Sequence, residues 1–316
     1  MHSRASAFTL LEIMLVMAVI GLLLALVAPV VGFQITQSQV AAETTSLKTI
    51  AAAIQSSFLS TDLEGTNVAA LPGTVPTGVN TTQFSTSTNS ASLPTTVASN
   101  DWFIKVARQM GYSFQGVSFP ATGVPVQAAG LLQNATRNRR ILLVGPDNET
   151  TTQRFLLISL VGAPDQLTIP PLPNPANPQD PANLALFNDV WNTTWTSPNV
   201  TLPATWTAAL TAAQIQAWQG RLWQLCVQQI TCPKYNVVIN NTDATLNCYV
   251  YYNFNGSTAG SSLTVLANAG SQTSATPILY GRTIQAWRGT AAPPSASASL
   301  FSQFILKEPA EITLQN

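Results

Sequence analysis

Residues 13–33 run for 21 positions without a charged side chain. At about 1.5 Å per residue, a helix of that length crosses the roughly 30 Å hydrocarbon core of a bilayer. An ordinary signal peptide has a shorter apolar run, about 7–15 residues, followed by a small-residue cleavage site. Here the best late site, after Ala28, has Leu26 two residues before it and Pro29 directly after it. The segment is therefore read as a retained anchor. Arg4 precedes it, and Glu43 and Lys48 are the first charges beyond it. That asymmetry favours a cytoplasmic N-terminus and an extracytoplasmic C-terminus.

Glu12 stands at the start of the apolar run. A carboxylate inside an apolar helix costs up to about 3 kcal/mol to insert, which makes it a functional candidate. Its setting is Ala7-Phe8-Thr9-Leu10-Leu11-Glu12, with Gly21 and Pro29 further along the run. This stretch resembles the prepilin cleavage and methylation motif of type IV pilins and type II secretion pseudopilins. The resemblance covers the first 35–50 residues. It implies that a prepilin peptidase cuts between Ala7 and Phe8 and methylates the new amine of Phe8. It also implies that Glu12 neutralises the N-terminal amine of an adjacent pilin or pseudopilin subunit during assembly, and that the chain sits in the inner membrane. Ala7 departs from the glycine that the family usually has before the cut, which implies slower processing.

Pro29 removes a helix hydrogen bond, and its ring crowds the carbonyl of Ala25. Gly21 and Gly32 flank it, so the resemblance implies a helix break here when subunits pack. Beyond the apolar run, Phe33, Val40, Leu47, Ile50, Ile54 and Phe58 recur at helical spacing among Gln, Thr and Ser. That pattern predicts one helix over 8–59, with a membrane half and an amphipathic half. The expected organisation is a leader at 1–7, a transmembrane half at 8–33, an amphipathic half at 34–59 and an extracytoplasmic head at 60–316.

Within the head, the polar, Gly- and Pro-rich stretch 60–100 predicts a long loop, and 101–111 a short helix ended by Gly111. The apolar runs 140–145 and 154–162 predict a hairpin. Residues 163–183 hold seven prolines and predict a stiff extended surface loop. Residues 184–195 and 207–230 predict helices, giving a helical lobe at 182–230. Strands are expected at 235–239, 246–254, 262–267 and 278–287, with the turn at Asn240-Asn241-Thr242-Asp243 joining the first two into a hairpin. A last apolar run at 300–306 closes the sheet. The fold class is α+β, a long helix on an antiparallel sheet with a helical insertion.

Composition narrows the function. The only histidine is His2, so a chain cut after Ala7 has none, which excludes His-based catalysis and His-ligated metals. No enzyme, metal site or cofactor is expected. Thirteen basic and thirteen acidic residues cancel, so no global field draws nucleic acid. Arg137, Arg139 and Arg140 form a basic cluster, read as a solvated loop end rather than a phosphate contact. Cys226, Cys232 and Cys248 allow one disulfide, in any of three pairings, with one thiol left over. Trp191, Trp195, Trp206, Trp218 and Trp223 are read as core. Asn240, Asn241, Asp243 and Asn247 are read as a turn, since one carboxylate is thin for calcium.

The expected function is a pilin-like subunit of a type IV pilus or type II secretion-type filament. The large head and Ala7 point to a minor or specialised one. The alternative is a membrane-anchored protein whose Trp-rich region binds polysaccharide, a surface or DNA.

Overall fold

In the computed structural model, fifty consecutive residues form helix α1, Leu10–Leu59. The structure describes residues 10–59, 134–146, 151–162, 167–195, 200–252 and 277–314, less a few single positions and 163–166 beside them. It also describes 106, 109–111 and short strands at 80–81, 96–97, 124–125, 262–266 and 270–273. The predicted helix over 8–59 ends where expected, and Phe8 lies outside the described residues. The helix continues unbroken through Gly21 and Pro29.

The strands are β1 (Asn80–Thr81), β2 (Thr96–Val97), β3 (Val124–Pro125), β4 (Ile141–Val144) and β5 (Thr152–Leu160). Three helices follow: α2 (Pro181–Asn192), α3 (Ala204–Ala209) and α4 (Ala212–Trp218), then a 3-10 turn, Leu222–Gln224. The remaining strands are β6 (Leu225–Tyr235), β7 (Val237–Asn241), β8 (Asn247–Tyr252), β9 (Ser262–Leu266) and β10 (Gly270–Thr273). They continue with β11 (Ile278–Leu279), β12 (Thr283–Gly289), β13 (Ala298–Ile305) and β14 (Ala310–Leu314). Helix and antiparallel sheets make an α+β fold, as expected.

The first sheet has the order β1-β4-β5-β6-β11 and is antiparallel throughout. The predicted hairpin is β4 and β5, with Leu142 opposite Leu157 and Val144 opposite Phe155. Alternation sends these residues to one face and Ile141, Leu143, Leu156, Ile158 and Leu160 to the other. The second set packs with Leu186, Phe187, Val190, Trp206 and Trp218 in one buried cluster. The first set faces α1, which packs along β6. β4 and most of β5 are thus buried on both sides, which is why these two strands read as apolar runs.

A second core lies among β7, β8, β12 and β14, built on Val237, Ile239, Val250, Ile284, Leu306 and Ile312. Its strands divide between the sheets β10-β7-β14 and β13-β12-β8-β9. β14 pairs with β7 in parallel, unlike the other pairs.

Three expectations need correction. Residues 207–230 are not one helix. α4 ends at Trp218, Gly220 reverses the chain at φ +72°, and β6 begins at Leu225. The helical spacing of Ile215, Trp218, Leu222 and Leu225 was outweighed by nine residue pairs that zip β6 onto β5. Nor do the strands flanking Asn240–Asp243 form a hairpin, since β7 and β8 belong to different sheets. The proline-rich stretch is not only a surface loop: Leu167, Ile169 and Leu172 enter the first core. Asn183 ties its end down, donating to the carbonyls of Asn174 and Asn177.

Smaller departures follow from turn chemistry. The run 278–287 is split into β11 and β12 by Gly281 at φ +84°. Of 101–111 only part is described. There the Met110 amide donates to the Val106 carbonyl one turn back, and Gly111 follows at φ +81°.

Candidate assembly and membrane surface

Two halves of α1 meet different surroundings. Large apolar side chains from Ile13 to Ile35 are 44–67% exposed, and the apolar window of the candidate membrane span has no buried share. Beyond that half, the only other exposed large hydrophobic among the described residues is Leu300. Each such side chain is worth about 1.5–3 kcal/mol when removed from water, so the uncovered half represents tens of kcal/mol. A soluble monomer does not carry such a surface; lipid or neighbouring helices must cover it. Extra Cβ atoms at Gly21 and Gly32 would meet no heavy atom within 4 Å, so the helix backbone there is open to close approach.

Glu12 lies in the first turn of α1 and is exposed. There the positive end of the helix dipole favours a carboxylate. Ala7 and Phe8 lie outside the described residues.

The second half docks on the sheet. Glu43, Leu47, Ile50, Ile54 and Ser57 are buried at spacings of four, three, four and three, one stripe of the helix. Leu47, Ile50 and Ile54 match the predicted face, whereas Phe33 stays half exposed and Phe58 is not described at side-chain level. At the stripe's membrane-proximal end, Arg140 donates through Nε to Glu43 Oε1 and through Nη2 to Glu43 Oε2, both at 2.7 Å. Arg140 Nη2 also donates to Ser46 Oγ at 3.2 Å. Side-chain exposure of this pair is only 3% and 5%.

This corrects the reading of Arg140 as a solvated loop residue; Arg137 and Arg139 lie outside the described residues. Glu43 is the residue that sequence reasoning missed. The available signal was its place on the stripe, one turn before Leu47, where a charge demands a partner. Near the same seam, Gln55 Nε2 donates to the Thr231 carbonyl at 3.0 Å, and Tyr280 Oη donates to the Gln55 carbonyl at 2.6 Å.

Cys226, Cys232 and Cys248 are all buried free thiols. Cys226 and Cys232 share strand β6 six residues apart, about 20 Å along an extended chain, so this fold cannot join them. Burial pushes their thiols up to about 11 for Cys226, 12 for Cys232 and 11 for Cys248. They are neutral at physiological pH and not poised as nucleophiles.

The Asn240–Asp243 turn is closed on itself. Asp243 Oδ1 accepts from the amides of Thr245 and Leu246 and the hydroxyl of Thr245, which lowers its pKa. Asn241 Oδ1 accepts from the Asp243 amide, and Asn247 Nδ2 donates to Tyr249 Oη. Among the described residues, no group of three acidic, Cys or His side chains is placed to hold a metal.

Trp206 and Trp218 are fully buried, and Trp191 and Trp195 pack on the same core, as expected. Arg154 stacks over the rings of Phe187 and Trp191 at 5.2 and 5.1 Å. Trp223 departs from the core reading. It is half-buried, and its ring centroid lies 5.2 Å from that of Phe33, edge to face.

The family described as the prokaryotic N-terminal methylation motif matches residues 2–28. The chain therefore carries the signature of type IV pilins and pseudopilins. The motif supports a pilin-like subunit, implies processing by prepilin peptidase and assembly with other pilins, and marks a structural rather than enzymatic family. With the apolar helix, it fits anchoring in the inner membrane with the C-terminal domain outside.

No curated protein matches the chain. Among solved structures, wild-type pneumolysin shows 8% identity over 55% of this chain and 48% of that one, at a TM-score of 0.19. Suilysin from Streptococcus suis shows 9% identity over 55% of this chain and 47% of that one, at a TM-score of 0.18. The chain spans about half the length of these proteins, and likeness at that level carries no argument.

Proposed function

We propose that the chain is a minor or specialised pilin-like subunit, cut between Ala7 and Phe8, methylated on Phe8 and packed through its exposed apolar helix into a filament. The observation that carries this reading is the methylation motif on a helix whose first half stands largely exposed among the described residues. Bilayer lipid covers that half before assembly, and neighbouring apolar helices cover it afterwards. Glu12 then pairs with the Phe8 amine of an adjacent subunit, since a buried carboxylate is tolerable only with a cation. Pro29, with Gly21 and Gly32 around it, is the stretch that loosens as helices pack.

The soluble half suits the same role. Its binding to the head is internal and complete: an apolar stripe on a sheet, closed by the Glu43–Arg140 pair. The head is thus carried rigidly on the helix, with its N-terminus cytoplasmic and its bulk outside.

Filaments sheared from cells that express the rest of the machine test this reading. The chain is expected in the filament fraction when prepilin peptidase is present and only in the membrane when it is absent. Equal amounts in both backgrounds would refute it.

A further inference from the structure

We propose that the 3-10 turn of the head, through Trp223, rests in the headgroup layer of the bilayer, so that the unassembled subunit stands with this edge of its head on the membrane surface. The inference builds on the membrane-anchored reading above and adds the orientation of the head.

The argument is one of levels along α1. The near-continuous apolar run gives way to Gln34 after Phe33, about 30 Å along the helix from Ile13, which is the thickness of the hydrocarbon core. Phe33 therefore lies where hydrocarbon gives way to headgroups. The Trp223 ring meets Phe33 edge to face at 5.2 Å, and the 3-10 turn packs on α1. Trp223 is thereby held at the same level.

Seven residues on, about 10 Å higher, the Val40 carbonyl takes a long contact of 3.8 Å from the Cys226 thiol, the start of the buried sheet. The headgroup zone of one leaflet is about 5–8 Å deep, so it ends below that point. The turn falls within it, and the Cys226 contact lies above it.

The chemistry of the turn suits that layer. Trp223 is half-buried, and its Nε1–H is already satisfied by the Gly220 carbonyl at 2.9 Å. The free ring surface is then an apolar body at a wet boundary, where tryptophan is preferred. Arg221 opens the same turn, two residues before Trp223. Gly220 at φ +72° makes the reversal that presents the turn, a backbone conformation that an L side chain strains to adopt.

The test uses the full chain in vesicles of phosphatidylcholine and phosphatidylglycerol carrying a nitroxide either near the headgroup or at mid-chain. Resistance to carbonate extraction is checked first, so failure to insert, which would overturn the anchored reading itself, is scored separately. In the inserted wild type, tryptophan emission is expected to be quenched more by the headgroup nitroxide than by the mid-chain one. Trp223→Phe is expected to lose that quenching while its near-ultraviolet circular dichroism stays native. Unchanged quenching in Trp223→Phe, or a Trp223 contribution quenched by aqueous iodide and not by lipid nitroxide, would overturn the proposal. Shielding of Trp223 from both quenchers would assign the turn to a protein contact and overturn it equally.

Discussion

Arg140→Met is expected to lower the unfolding free energy by about 3–5 kcal/mol, because it leaves the Glu43 carboxylate buried without its cation. The pair is bidentate, and Arg140 also donates to Ser46 Oγ on the helix. Water has little access, with side-chain exposure of 3% and 5%. A domain is usually stable by only about 5–15 kcal/mol, so the single substitution removes a large share of the whole.

The double variant Glu43→Leu, Arg140→Met is expected to recover most of that loss, since a well-packed apolar pair often equals or exceeds a buried ion pair in stability. What the double variant gives up is a fixed register, because apolar stripes alone slide more easily than a two-point bidentate contact. Denaturant unfolding followed by tryptophan emission measures all three proteins; Trp206 and Trp218 report from the core beside the sheet. A loss under about 1 kcal/mol in Arg140→Met would mean that the pair behaves as a solvated surface contact.

Glu12→Leu is expected to remove the chain from filaments, by roughly 100-fold or more, and to leave the head folded. The size follows from stranding a buried amine, worth about 3–5 kcal/mol, at about 1.4 kcal/mol per tenfold. The sparing of the head follows from distance. Glu12 lies 31 residues before Glu43, about 46 Å along α1, far beyond the range at which substitutions couple. Quantifying the chain in sheared filaments against the membrane pool reads the first effect, and near-ultraviolet circular dichroism of the membrane pool reads the second. Incorporation at the wild-type level would remove Glu12 from assembly.

These two expectations differ in how visible they were beforehand. Glu12 interrupts the start of an apolar run, a local contradiction that sequence displays openly. Glu43 and Arg140 are 97 residues apart, and each looks ordinary among its own neighbours. Only the docking of α1 on the sheet makes them partners. The long helix was legible because its period holds over many turns, and the β4–β5 hairpin because each strand is buried on both faces. Helix α2 was displaced by about three residues: Pro181 at its first turn and the Asp180 cap set the start at Pro181.

The failure over 207–230 has a physical cause. Leu222 and Leu225 fit a helical face as well as they fit a turn and a strand. The choice was made by β5, sixty-five residues upstream of Leu225 at its paired Leu160, which no local pattern encodes. Trp223 shows the same limit. Its composition as an aromatic residue suggested core, while its place beside Phe33 is a property of the assembled head and helix.

The central claim, that this chain enters the prepilin pathway, is tested most directly by the mass of the N-terminal peptide from the membrane fraction, with and without prepilin peptidase. The account predicts a peptide beginning at methylated Phe8, found only when the peptidase is present. A chain still beginning at Met1 in its presence, or one cut after Ala28, would contradict it.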